Sequence, residues 1–128
     1  MKALIVDDIE INRELLALFL EGRAAVTFAE SGEEALQQVK DALGSNDYFD
    51  LICMDISMTG IDGLEALRLI REAEQVHGAA RAIVFMVTSS SSPDDMINAL
   101  VVGGCDDYLV KPLMQQSFQE LLVKYRLA

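Results

Sequence analysis

At 128 residues the chain is long enough to bury one core and too short for two ordinary domains, so residues 1–128 read as a single domain. Hydrophobic residues make up 52% and charged residues 24%, the balance of a folded protein rather than a disordered tail. A formal net charge of -11, with only 10 Lys and Arg, argues against direct nucleic-acid binding, because a phosphate backbone is held by clustered cations.

The first apolar run, Ala3 to Val6, predicts a buried strand ending in the acidic pair Asp7-Asp8. It is far shorter than a signal-peptide core, and no later segment reaches the length of a membrane span, so a cytoplasmic location without membrane contact is expected. Ile11, Leu15 and Leu18 then fall at helical spacing. A second strand is expected over Ala24 to Phe28, and a second helix with Ala35, Val39 and Leu43 on its core face. Gly44-Ser45-Asn46-Asp47 marks a loop. The third strand, Leu51 to Met54, runs into Asp55, and Leu64, Leu67 and Ile70 mark the helix after it.

Ile83 to Val87 predicts a fourth strand that ends at Thr88. Ser92 as N-cap, Pro93 in the first turn and Asp95 three residues after the serine open a fourth helix, which ends at Gly103-Gly104. That helix carries Met96, Ile97, Ala99, Leu100, Val101 and Val102, too many apolar residues for one core stripe, so part of it is expected as a partner surface. Tyr108 to Val110 forms the fifth strand and runs into Lys111-Pro112. Phe118, Leu121 and Tyr125 mark the fifth helix.

Strict alternation of strands and helices with short connections predicts right-handed crossovers and an α/β, doubly wound parallel sheet. Ligands of such sheets bind beyond the carboxyl ends of the strands. Asp7, Asp8, Asp55, Thr88 and Lys111 all fall there. Two carboxylates about 4 Å apart repel by roughly 4 kcal/mol at an effective dielectric near 20, so a converging acidic cluster needs a counterion. Oxygen-only ligands without His or Cys favour a hard, partly hydrated cation, and Mg2+ is the expected metal. Lys111 supplies a point charge and Thr88 a hydroxyl. With an aspartate nucleophile, these are the parts of in-line phosphoryl transfer. Cys53, Cys105 and the methionines, including Met54, Met58 and Met86, read as packing, and His77 has no partner group in sequence.

LIVDD at 4–8, LICMDISMTGIDG at 51–63, MVTS at 86–89 and DDYLVKP at 106–112 together resemble the receiver domain of two-component response regulators over essentially the whole chain. The resemblance implies a flavodoxin-like five-stranded sheet of order 2-1-3-4-5. It implies that Asp55 is the phosphoacceptor, that Asp8 ligates Mg2+ directly with Asp7 as helper, and that Ser57 adds its backbone carbonyl. Lys111 and Thr88 would contact the phosphoryl group, and Tyr108 would be an aromatic switch. The implied donor is a phosphohistidine on a sensor histidine kinase or a histidine phosphotransfer protein. The implied output is an effector at the face of the fourth helix, fifth strand and fifth helix. Such a domain is a signalling module that catalyses only its own phosphorylation and dephosphorylation. Thr59 departs from the common proline, and Ser89 from a common small apolar residue. The run DDIEINRELL at 7–16 also resembles receivers attached to hybrid histidine kinases. An aspartyl-phosphatase enzyme fits less well, since Ser57 stands where that family has its second acid.

Overall fold

The computed structural model describes residues 1–79, 81–89 and 104–127. Its elements are β1 (Lys2–Val6), α1 (Glu10–Phe19), β2 (Ala25–Ala29), α2 (Gly32–Gly44), β3 (Leu51–Asp55), α3 (Gly63–His77), β4 (Ile83–Thr88), β5 (Asp107–Val110) and a C-terminal helix (Gln115–Lys124). The predicted fourth helix, with Ser92, Pro93, Asp95, Leu100 and Gly103, lies outside the described residues.

Five parallel strands pair in the order β2-β1-β3-β4-β5, as expected. The near-continuous apolar runs become the central strands, because a strand covered on both faces has no place for a polar side chain. β3 is buried along its whole length, while β2 and β5 at the edges are only partly covered. Alternate side chains then feed two separate cores. Leu4, Val6, Ile52, Met54, Val84 and Met86 pack with Val39, Leu67 and Ile70 from α2 and α3. Ala3, Ile5, Cys53, Phe85 and Val87 pack with Leu16, Phe118 and Leu122 from α1 and the C-terminal helix. Each fully buried Leu, Ile or Phe contributes about 1.5–3 kcal/mol of transfer free energy.

One helix face differs from the sequence reading. In α1 the buried residues are Arg13, Leu16 and Phe19, whereas Ile11 is 70% and Leu18 62% exposed. The helix carries two apolar stripes. The one with Leu16 and Phe19 wins because Phe19 meets the ring of Phe118, with centroids 5.8 Å apart, under the C-terminal helix. Strand limits shift slightly: β2 starts and ends one residue later than expected, because Val6 pairs with Ala29 and the Asp7 N–H donates to the Ala29 carbonyl.

Local signals set the helix ends. Ser31 Oγ accepts the Glu34 N–H, Asp62 Oδ1 accepts the Glu65 N–H, and Gly78 closes α3 with φ 72°. At the amino-terminal edge of the sheet, Arg71 Nη1 donates to Glu74 and to the Ala82 carbonyl, both at 2.8 Å. Its Nη2 reaches Asp106 at 3.1 Å, and Arg81 holds the other Asp106 oxygen at 2.8 Å. This network joins α3 to the starts of β4 and β5. No helix among the described residues is long and apolar enough to cross a membrane.

Candidate functional site

The register assembles the site. Val6 pairs with Met54 and Asp55 with Val87, so continuing β1 by one residue sets Asp7 beside Asp55 at the carboxyl edge. Carboxylate oxygens of Asp7, Asp8 and Asp55 lie within 4.8 Å of one another. Asp7 and Asp55 are buried, at 2% and 4% exposure, while Asp8 is exposed. Lys111, carried in from the end of β5, places Nζ 3.0 Å from Asp55 Oδ2 and 3.8 Å from Asp7 Oδ2. The Lys111–Pro112 peptide is cis. The Lys111 N–H donates to the Thr88 carbonyl at 2.8 Å, which ties the last residue of β4 to the same corner.

Each carboxylate is oriented by the backbone that follows it. Asp7 Oδ1 accepts the Ile9 N–H at 2.9 Å, and Asp55 Oδ1 accepts the Ser57 N–H at 3.1 Å. Behind Asp55 the chain turns tightly, and the Gly63 N–H donates to the Ile56 carbonyl at 2.8 Å. A Cβ on Gly63 would strike the Asp55 carbonyl oxygen, and would come within 2.9 Å of both Ile56 Cα and Met86 Cε. Only glycine fits this close approach.

Burial raises the pKa of Asp7, and the neighbouring Asp55 charge adds to the shift. The Ile9 N–H, Lys111 and Asn12 oppose it without cancelling it. With all three acids ionised and Lys111 charged, the cluster keeps a net charge of minus two, the complement of a divalent cation. The donors are oxygen only, and the exposed Asp8 leaves water access. A small, hard, partly hydrated dication fits this set.

Tyr108 is half-buried against the core beneath α2 and α3, and pairs in register with Met86. His77 ends α3 and meets Tyr48 edge-on, remote in sequence and in fold from the acidic edge. Cys53 and Cys105 are buried free thiols, and burial pushes them up to about 12 and about 11. At those values they stay protonated.

Sequence reasoning missed two residues around the site. Arg13 is buried and donates from Nη1 to the Asp7 carbonyl at 2.8 Å, with Nη2 3.3 Å from Glu30. The signal was a charged residue three positions before Leu16, on the stripe that faces the sheet. Glu33, at the start of α2, accepts the Ile61 N–H at 3.0 Å. Nothing in its local sequence announces that contact.

Comparison with known proteins agrees with this geometry. The family described as the response regulator receiver domain matches residues 3–123. The two-component response regulator ORR41 of Oryza sativa subsp. japonica is 38% identical over 131 residues, which cover all of this chain and 96% of that protein. The hybrid signal transduction histidine kinase A of Dictyostelium discoideum is 31% identical over 125 residues, 97% of this chain but only 6% of the kinase. Among solved structures, the receiver domain of Ssk1 from Saccharomyces cerevisiae, crystallised with the histidine phosphotransfer protein Ypd1, aligns with TM-score 0.85 and 29% identity. That alignment covers 98% of this chain and 88% of the other. The receiver domain of the histidine kinase CKI1 from Arabidopsis thaliana, complexed with Mg2+ and BeF3-, aligns with TM-score 0.85 and 28% identity, over 98% and 89% of the two chains. An acidic pair after β1, an aspartate ending β3 and a lysine after β5 thus meet in a parallel sheet of order 2-1-3-4-5, and the chain belongs to the family of response regulator receiver domains.

Proposed function

We propose that the domain accepts a phosphoryl group on Asp55 and uses it as a signalling switch. The observation that carries this reading is the position of Lys111 Nζ, 3.0 Å from Asp55 Oδ2 at the edge of a three-carboxylate cluster. The donor is a phosphohistidine on a sensor histidine kinase or a histidine phosphotransfer protein, a partner class supported by the Ssk1 complex with Ypd1. An Asp55 carboxylate oxygen attacks phosphorus, the P–N bond breaks, and its electron pair returns to the imidazole nitrogen. The product is an acyl phosphate.

Asp7, Asp8, Asp55 and the Ser57 carbonyl would hold Mg2+, which when bound neutralises and orients the phosphoryl oxygens. The Ser57 N–H, already on Asp55 Oδ1, holds the nucleophile's plane. Lys111 shields the attacking carboxylate from its acidic neighbours and afterwards pairs with the phosphoryl group. Phosphorylation adds charge and acceptor oxygens, which draw Lys111 and the Thr88 hydroxyl inward. Because the Lys111 N–H is bonded to the Thr88 carbonyl, both respond together. Tyr108 then moves toward the space beside Thr88, and the face built on β5 and the C-terminal helix, with the expected fourth helix that lies outside the described residues, changes for an effector. This is a shift between two existing conformations, bounded by the contact energies that differ between them. The domain works as one unit in the cytoplasm and turns over nothing but its own phosphoryl group.

Incubation with Mg2+ and acetyl phosphate tests the reading. The wild type gains one phosphoryl mass and Asp55→Asn gains none; no gain on the wild type, or equal gain on both, overturns it. Steady hydrolysis of phosphorylated metabolites would make it a phosphatase instead.

A further inference from the structure

The loop between β3 and α3 carries Ser57, and its two ends are firmly tied. The Ile56 N–H donates to the Val87 carbonyl at 3.0 Å, the Gly63 N–H returns to the Ile56 carbonyl at 2.8 Å, and Asp62 caps α3. The middle is bare. Met58, Thr59 and Gly60 make no hydrogen bond among the described residues, and the Ile61 N–H has one acceptor, Glu33 Oε1 at 3.0 Å.

Glu33 also lies against Gly60. That glycine has φ +82°, and a Cβ built there would meet Glu33 Oε2 at 2.6 Å and Oε1 at 3.0 Å. From the other side, a Cβ on the neighbouring Gly32 would meet Ile61 Cγ1 at 2.7 Å. The first turn of α2 therefore grips residues 60–61 twice, through a carboxylate and through a glycine that admits the isoleucine. Thr59, by contrast, restrains nothing by its own chemistry.

We propose that Glu33 is a positioning residue for the site: it orders residues 57–61, and with them the Ser57 backbone that meets Asp55. This rests on the reading of Asp55 as phosphoacceptor and Ser57 as metal-side ligand. Order that a proline ring at position 59 would build into the chain is supplied here from α2. Thr59 donates no hydrogen bond among the described residues and has no positive φ, so neither a lost donor nor a left-handed backbone stands against Thr59→Pro as a substitute for that order.

The test uses Glu33→Ala, Glu33→Gln and the double variant Glu33→Ala/Thr59→Pro. Nitrogen-15 relaxation of the metal-free protein reads loop order directly, and calorimetry reads Mg2+ affinity. Glu33→Ala mobilises the amides of residues 57–61 and weakens Mg2+ binding by about 5-fold, the equivalent of one net hydrogen bond. Glu33→Gln keeps an acceptor oxygen and stays within about 2-fold of the wild type. The proline restores both readouts to the Ala variant. An unchanged Glu33→Ala overturns the proposal, as does a Gln variant as impaired as Ala, which would make charge the cause. Failure of the proline to rescue also overturns it. Relaxation is measured without metal or phosphate, so a wild type whose Asp55 takes no phosphoryl group refutes the reading of Asp55 while the relaxation series still decides the role of Glu33.

Discussion

The guanidinium of Arg13 donates to the main-chain carbonyl of Asp7 at 2.8 Å, from a side chain sealed between α1 and the sheet. It fixes the turn that aims Asp7 and Asp8. Arg13→Ala leaves that carbonyl without its donor, and the expected loss is about 1–3 kcal/mol in urea unfolding. Arg13→Lys loses less stability but cannot span both the Asp7 carbonyl and Glu30, so its Mg2+ affinity in calorimetry stays below wild type.

Asp7→Asn is expected to stabilise the metal-free protein. Burial raises the pKa of Asp7, so its favourable linkage is fully present below the unfolded carboxylate value and is lost as pH rises through the folded one. At neutral pH the ionised group is therefore a burden, and removing the charge should raise Tm by roughly 3–5 °C. If Mg2+ raises the Tm of the wild type, as the proposed site requires, the same variant should lose that increase.

Lys111→Ala separates two roles of one cation. Removing it leaves Asp7 and Asp55 facing each other without a counter-charge, so metal-free stability at pH 7 should fall. A divalent ion no longer competes with the ammonium, and Mg2+ affinity should rise by about 3–10-fold in calorimetry. Phosphorylation should then fail to shift the NMR signals of Thr88 and Tyr108.

Asp107 gives the opposite pH sign from Asp7. Burial works to raise its pKa, but bonds from Lys124, the Tyr108 N–H and the Tyr125 hydroxyl together lower it below the usual 3.8. Its contribution is present above the unfolded value and is lost as pH falls through the folded one. Asp107→Asn should shift the urea midpoint slightly, by roughly 0.3 M at pH 7, since Lys124 is exposed. The difference from wild type should disappear as pH drops below 3.8.

Gly63→Ala tests the close packing behind Asp55. The added methyl meets main-chain atoms of Asp55 and Ile56, which cannot swing aside as a side-chain end can. A cost of about 1–3 kcal/mol is expected, together with slower phosphorylation by acetyl phosphate.

The central strands were legible because burial on both faces leaves only apolar residues, as in Leu51 to Met54. The site was legible because topology collects strand ends, and Asp7, Asp8, Asp55 and Lys111 meet where the alternation of elements placed them. α1 was misread because two apolar stripes compete, and the choice between them is made by Phe118, a hundred residues away in chain order. Arg13 and Glu33 stayed hidden for a related reason. Both serve main-chain atoms outside their own helices, and a backbone N–H or carbonyl leaves no mark in the sequence.

The ion-pair network of Arg71, Glu74, Arg81 and Asp106 lies at the end of the sheet opposite the acidic cluster. It ties the starts of β4 and β5 to α3 through two arginines and two carboxylates. Thr88 and Lys111 sit at the opposite ends of those two strands, so the same pair of strands is anchored by charge at one edge of the sheet and carries the candidate site at the other.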